Sequence, residues 1–272
     1  MDLVHLLSYA FLQNALAAGC SVALCAAVVG YFLVVRGMTF AGHAFPNIGF
    51  AGAAGAVLLG VSPVFGLFSF TLAAALVFAF LGQRIREKDL GIGVVMTFSL
   101  GLGLLFLTMY AGYSGRAYGI LFGTILGISS TEVHVTLASC LLTLLCVLGV
   151  FRPLLFSTAA PDSALARGVP IRLLAAVFLV LTAVTVSLAV QVTGSLLVFT
   201  LLVGPAATAR TAFRRPSAVI GLAVLLGEPY VVGGILLAAA TKTLPVSFFV
   251  ATLSFAAFLL SRLLQGRKTW ER

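Results

Sequence analysis

Residues 173–211 read LLAAVFLVLTAVTVSLAVQVTGSLLVFTLLVGPAATART, two apolar runs joined at Gly194-Ser195, with Arg210 as their one ionisable side chain. Each run approaches the roughly twenty residues that a helix needs to cross the hydrocarbon layer of a bilayer. The pattern recurs in both directions along the chain. Apolar stretches fall at 15–35, 40–60, 63–82, 91–111, 134–151, 173–192, 195–211, 217–241 and 246–263. They predict an all-α, polytopic integral membrane protein with about eight to nine transmembrane helices.

Composition points the same way. Of 272 residues, 61% are hydrophobic and 8% charged, whereas roughly a quarter of an average soluble domain is charged. A soluble globule is excluded, and a single transmembrane domain over 1–272 is the economical reading. The first apolar stretch is longer than the core of a cleavable secretory signal, so the N-terminus is expected to stay attached. Gly and Ser are frequent within the runs, as close helix packing in lipid requires. Cys20, Cys25, Cys140 and Cys146 lie inside apolar runs at spacings that match neither a CxxC pair nor a zinc knuckle. They read as small packing residues.

The net charge of +9 reports topology rather than nucleic-acid binding, because the basic residues sit in short clusters between apolar runs. Alternate threading of nine spans puts Arg36, Arg84, Arg86, Lys88, Arg152, Arg167, Arg172, Arg210, Arg214, Arg215, Arg262, Arg267, Lys268 and Arg272 on one side. Only Arg116 and Lys242 lie opposite. The first side is therefore cytoplasmic, which leaves the N-terminus outside and the C-terminus inside. Two loops are long. The outer one, 112–133, holds an apolar core at 120–128 that is too short to span and predicts an interfacial or re-entrant helix. The inner one includes FRPLLFSTAAPDSALARGVPIR (151–172), with a helix start at Pro161-Asp162 and a stop at Gly168-Val169-Pro170. A cytoplasmic surface helix of about two turns fits it.

Ionisable groups at membrane depth are costly and mark candidate sites. His43 and Asn47 lie four residues apart early in the second span, hence on one helical face. An imidazole and an amide there can offer donors to a divalent ion, or can bond across helices as a polar pair. Pro46 lies between them and frees a backbone carbonyl one turn earlier. Glu228, in AVLLGEPYVVGG (223–234), precedes Pro229. It lines a pathway, or else lies in a wet loop between two segments. His134, beside Glu132 near the outer end of the fifth span, lines a mouth or sits at the interface; His5 reads as a solvated terminal residue. No GxxxxGK[ST] or HExxH motif occurs, and no nucleophile–base set is visible. A non-enzymatic subunit with no catalytic residues and no cofactor of its own is expected, any ATP being bound on a partner subunit.

Six segments in order resemble the permease subunits of the zinc/manganese/iron family of ATP-binding-cassette importers. They are VVRGMTFAGHAFPNIGFAGAAGAVLLG (34–60), KDLGIGVVMTFSLGLGLLFL (88–107), YGILFGTILGIS (118–129), PDSALARGVPIRLL (161–174), VTGSLLVFTLLVGPAATAR (192–210) and TLPVSFFVATLSF (243–255). The resemblance implies a dimer of permeases, most simply a homodimer, in a bacterial inner membrane. It further implies a central pathway, two cytoplasmic ATPase subunits and an extracytoplasmic metal-binding protein. Residues 164–168 match the family's coupling element, so Asp162, Ala164, Arg167 and Gly168 are the expected contacts to the ATPase. The chain departs from the family at the second span. Where the family carries an Asp and, four residues on, a His, this sequence has His43 and Asn47. That exchange weakens the case for manganese and leaves zinc, or a softer or chelated metal, as the better fit for the cargo. A chelate importer and an ATPase-independent secondary transporter are the alternatives; the latter predicts internally repeated broken helices.

Overall fold

Apolar side chains surround most of the helices on every side, so burial cannot come from one amphipathic stripe and the helices are sorted by how tightly their backbones approach. The computed structural model describes residues 9–81, 88–110, 127–241 and 244–270. Among these it contains ten helices and no strand: α1 (Ala10–Val35), α2 (Thr39–Leu58), α3 (Pro63–Leu81), α4 (Lys88–Met109), α5 (Ser130–Ala159), α6 (Pro161–Ala166), α7 (Ile171–Thr193), α8 (Ser195–Ala212), α9 (Pro216–Thr241) and α10 (Val246–Trp270). All nine predicted spans are helical. The interfacial segment expected at 120–128 and the residue His5 lie outside the described residues, apart from the last two positions of that segment.

Among the described residues, seven helices are long and apolar enough to cross a membrane. The two remaining long helices, α2 and α8, each pack against several others. Helix α2 buries residues almost throughout and packs on α3, α4 and α8; α8 packs on α1, α9 and α10. Glycine sets the spacing. A Cβ on Gly30 of α1 would overlap the Leu202 carbonyl of α8, and Gly52 of α2 and Gly66 of α3 each approach the other's backbone carbonyl in the same way. One hydrophobic core runs from Leu12 to Val250, with Phe32, Phe45 and Phe178 among its largest enclosed side chains. Within it, Thr71 of α3 and Ser187 of α7 share a buried hydroxyl–hydroxyl bond of 2.7 Å.

The inner loop is shorter than its sequence suggests. Helix α5 begins at Ser130, where Ser129 and Glu132 form a reciprocal capping box, and it continues through Pro153 to Ala159. A proline inside a helix costs about 3 kcal/mol. The complete burial of Leu154 just beyond it helps to offset that cost. The expected surface helix then follows as α6, six residues with Pro161 at its first position. It ends in a Schellman pair: Gly168 N–H donates to Leu165 O and Val169 N–H to Ala164 O, both at 3.0 Å. Gly168 adopts φ +74°, which a glycine takes without a Cβ penalty.

Candidate functional site: the polar face of the second helix

Helix α2 starts after a tight turn at Gly37 (φ +66°), and its first turns present the residues of interest. His43 is the one exposed side chain of α2, set among Ala41, Gly42, Ala44, Phe45 and Pro46, all buried. Its ring meets Phe199 of α8 edge-on at 5.2 Å between centroids, with Phe40 at 6.5 Å on the other side. Asn47 is half-buried on the same face, and its Nδ2 donates to the His43 carbonyl at 2.8 Å. The same amide nitrogen lies 3.9 Å from the Met96 sulfur on α4. Pro46 has no N–H, so the Gly42 carbonyl lacks its helical donor.

An imidazole, an amide, a thioether and a spare carbonyl therefore gather on one side of α2. Sequence reasoning found the first two and the carbonyl but missed Met96. The signal was available only as KDLGIGVVMTFSL, where a methionine in an apolar run reads as packing; α2–α4 contact gives it a polar neighbour. Beside these residues a groove of about 530 Å³ opens between Phe40 and the α4 residues Asp89, Gly93, Met96 and Thr97. Among the described residues no three His, Cys, Asp or Glu side chains converge as a metal cage.

The other two predicted residues lie elsewhere. Glu228 is half-buried in the middle of α9, which runs unbroken through Pro229, so the alternative of two segments with a wet loop between them does not apply. Its carboxyl lies against the Cys20 thiol of α1, and its neighbour Gly227 backs onto Pro205 of α8 and Ala23 of α1. Helix α9 packs on α1, α8 and α10 rather than on α2. His134, in the first turns of α5, bonds its Nδ1 to the Ser130 carbonyl of its own helix at 2.6 Å. Nearby, Asn14 of α1 donates to Ile128 O at 3.2 Å. Neither Glu228 nor His134 is brought to His43.

The surface helix is built as a knob. Ala164 is fully buried, while Asp162, Leu165, Arg167 and Gly168 are exposed. The Arg167 guanidinium lies over the Phe156 ring at 5.5 Å, tying the knob to the end of α5.

Residues 8–265 match the model of the ABC 3 transport family. The chain belongs to that family. It is therefore the membrane subunit of an ATP-binding-cassette transporter and not an enzyme, an integral multi-pass protein of the bacterial inner membrane, and the ATPase-independent alternative falls. Two curated relatives and one solved structure bracket it. The manganese transport system membrane protein MntC of Halalkalibacterium halodurans is 33% identical over 85% of this chain and 80% of its own. The high-affinity zinc uptake system membrane protein ZnuB of Haemophilus influenzae is 27% identical over 85% of this chain and 89% of its own. The structure of PsaBC from Streptococcus pneumoniae in complex with Fab superposes with a TM-score of 0.80 at 30% identity, covering 94% of this chain and 92% of that one.

Proposed function

We propose that this ABC 3 family permease imports a divalent transition metal ion, zinc in preference to manganese, along the polar face of α2 at a seam between two copies of the chain. The observation that carries the reading is the exposure of His43 on a helix otherwise enclosed by protein. An imidazole turned toward lipid at membrane depth is costly, so such a group faces water, a cavity or another polypeptide. A second permease copy laid against this face encloses a pathway lined by His43, Asn47 and Met96 from each protomer. Relatives named for manganese and for zinc support the class of cargo. The donors support the choice within it: imidazole and thioether are softer than the ligands of an oxygen-rich manganese site, and Asp89 is the one carboxylate on the adjoining groove.

The energy comes from partners. Two cytoplasmic ATPase subunits dock on α6, where Ala164 anchors the knob while Asp162, Arg167 and Gly168 meet the ATPase groove. An extracytoplasmic binding protein hands the ion to the outer mouth. ATP binding shifts the dimer between two pathway conformations by favouring one of them. Glu228 and His134, remote from α2, are not assigned to the ion's route.

The test is competitive uptake by proteoliposomes holding the assembled transporter and its binding protein, supplied with equal zinc, manganese and iron. Zinc taken up in excess over manganese, dependent on ATP, supports the reading. Equal or greater manganese uptake overturns the preference, and no metal uptake overturns the cargo.

A further inference from the structure

A second space lies on the cytoplasmic side and shares Asp89 with the groove beside α2. It is a cavity of about 540 Å³, inside the range of roughly 300–1,000 Å³ typical of small-molecule sites. Six elements contribute to it: the end of α1 with the turn that follows, the end of α3, and the starts of α4, α6 and α7 with the end of α5. Every one of those termini is cytoplasmic in the threading set by the basic residues. Its polar lining is Arg36, Arg172, Asp89, Ser157 and Thr158, and Phe78 and Leu179 supply part of an apolar wall.

Arg36 is poorly compensated there. One guanidinium nitrogen, Nη2, donates to Ser157 Oγ at 3.2 Å, and the group lies over the Phe178 ring at 5.4 Å. The other nitrogen, Nη1, is buried without a partner. Burial draws the Arg36 guanidinium below its ordinary range. Among the described lining residues, a half-buried cation with an unused donor, a second guanidinium and one carboxylate leave a net charge of +1. That is the complement of a phosphodiester, whose oxygens accept from guanidinium forks. The apolar wall and the position at the inner membrane surface select a phosphate that carries acyl chains, as basic pockets between helices on the cytoplasmic side do.

We propose that this cavity binds the phosphodiester headgroup of an anionic phospholipid of the inner leaflet, held between Arg36 and Arg172. The site has a mechanical consequence. Ser157 and Thr158 precede α6, Ile171 and Arg172 follow it, and Arg36 to Met38 form the turn into α2. A headgroup seated there bridges the frame of the ATPase-facing knob to the helix that carries His43.

The experiment is lipid retention by the assembled transporter after delipidation, read by native mass spectrometry with phosphatidylglycerol and phosphatidylcholine offered in equal amounts. Phosphatidylglycerol is expected to be retained preferentially. Arg172→Gln, at an exposed position that folding does not require, is expected to lower the preference by roughly fivefold, and Asp89→Asn to raise it by a similar factor. Arg36→Gln is expected to act as Arg172→Gln does. Opposite signs at Arg172 and Asp89 are what a structural defect would not produce. Equal retention of the two lipids, or a preference unmoved by both variants, overturns the proposal. Displacement of the lipid by millimolar inorganic phosphate overturns its lipid part and leaves a site for the free anion.

Discussion

A single exchange at two positions of α2 sets the chemistry of the site: imidazole and amide stand where the family resemblance leads one to expect carboxylate and imidazole. Because Asn47 already points its amide at the His43 carbonyl and at Met96, Asn47→Asp puts a hard oxygen donor into the same space without changing its volume. The ratio of manganese to zinc uptake in competition is expected to rise in that variant. An unchanged ratio would mean that Asn47 does not meet the ion. Met96→Leu removes the thioether while nearly conserving volume, so the melting temperature should reflect a stability change below about 1.5 kcal/mol. Zinc uptake at limiting concentration is expected to fall by on the order of tenfold, the scale on which supporting groups act at metal sites. Full activity in Met96→Leu would reduce the sulfur to packing.

At the scale of elements, the predicted spans were legible because bilayer crossing imposes length and apolarity directly on the sequence, and each of them is a helix. The knob at Pro161–Ala166 was legible too, since Pro161, Asp162 and Gly168 are local stop and start signals that do not depend on tertiary context. What could not be seen was the extension of α5 through Pro153, decided by the burial of Leu154 in a core assembled from distant segments. The contact between Met96 and Asn47 was equally hidden, because nothing in either sequence segment fixes how α4 is rotated against α2. Pro229 invited the idea of a break beside Glu228, and the neighbouring helices hold α9 continuous instead. Helix spacing gives the prediction proper to this scale. Gly30→Ala drives a methyl group into the Leu202 carbonyl and should cost about 1–3 kcal/mol, the usual range for overpacking. Thermal unfolding of the purified chain in detergent measures it, and an unchanged midpoint would mean that α1 and α8 separate freely.

For the molecule as a whole, α2 is enclosed by its neighbours, while α5 and α10 carry large exposed apolar side chains such as Leu142 and Phe255. The basic residues orient this assembly with α6 and the α1–α2 turn inside. In a chain whose four native cysteines are replaced, Asp162→Cys is therefore expected to react with an impermeant maleimide in inside-out vesicles and not in intact cells. Labelling from outside would invert the topology. In the proposed function, metal crosses this membrane past the exposed face of α2. The most direct test of that route is ATP-dependent zinc uptake by proteoliposomes containing the full transporter, wild type against His43→Ala, with assembly of the complex checked by size-exclusion chromatography. The variant is expected to assemble normally and to lose uptake by at least tenfold; normal assembly with undiminished uptake would mean that the ion does not pass His43.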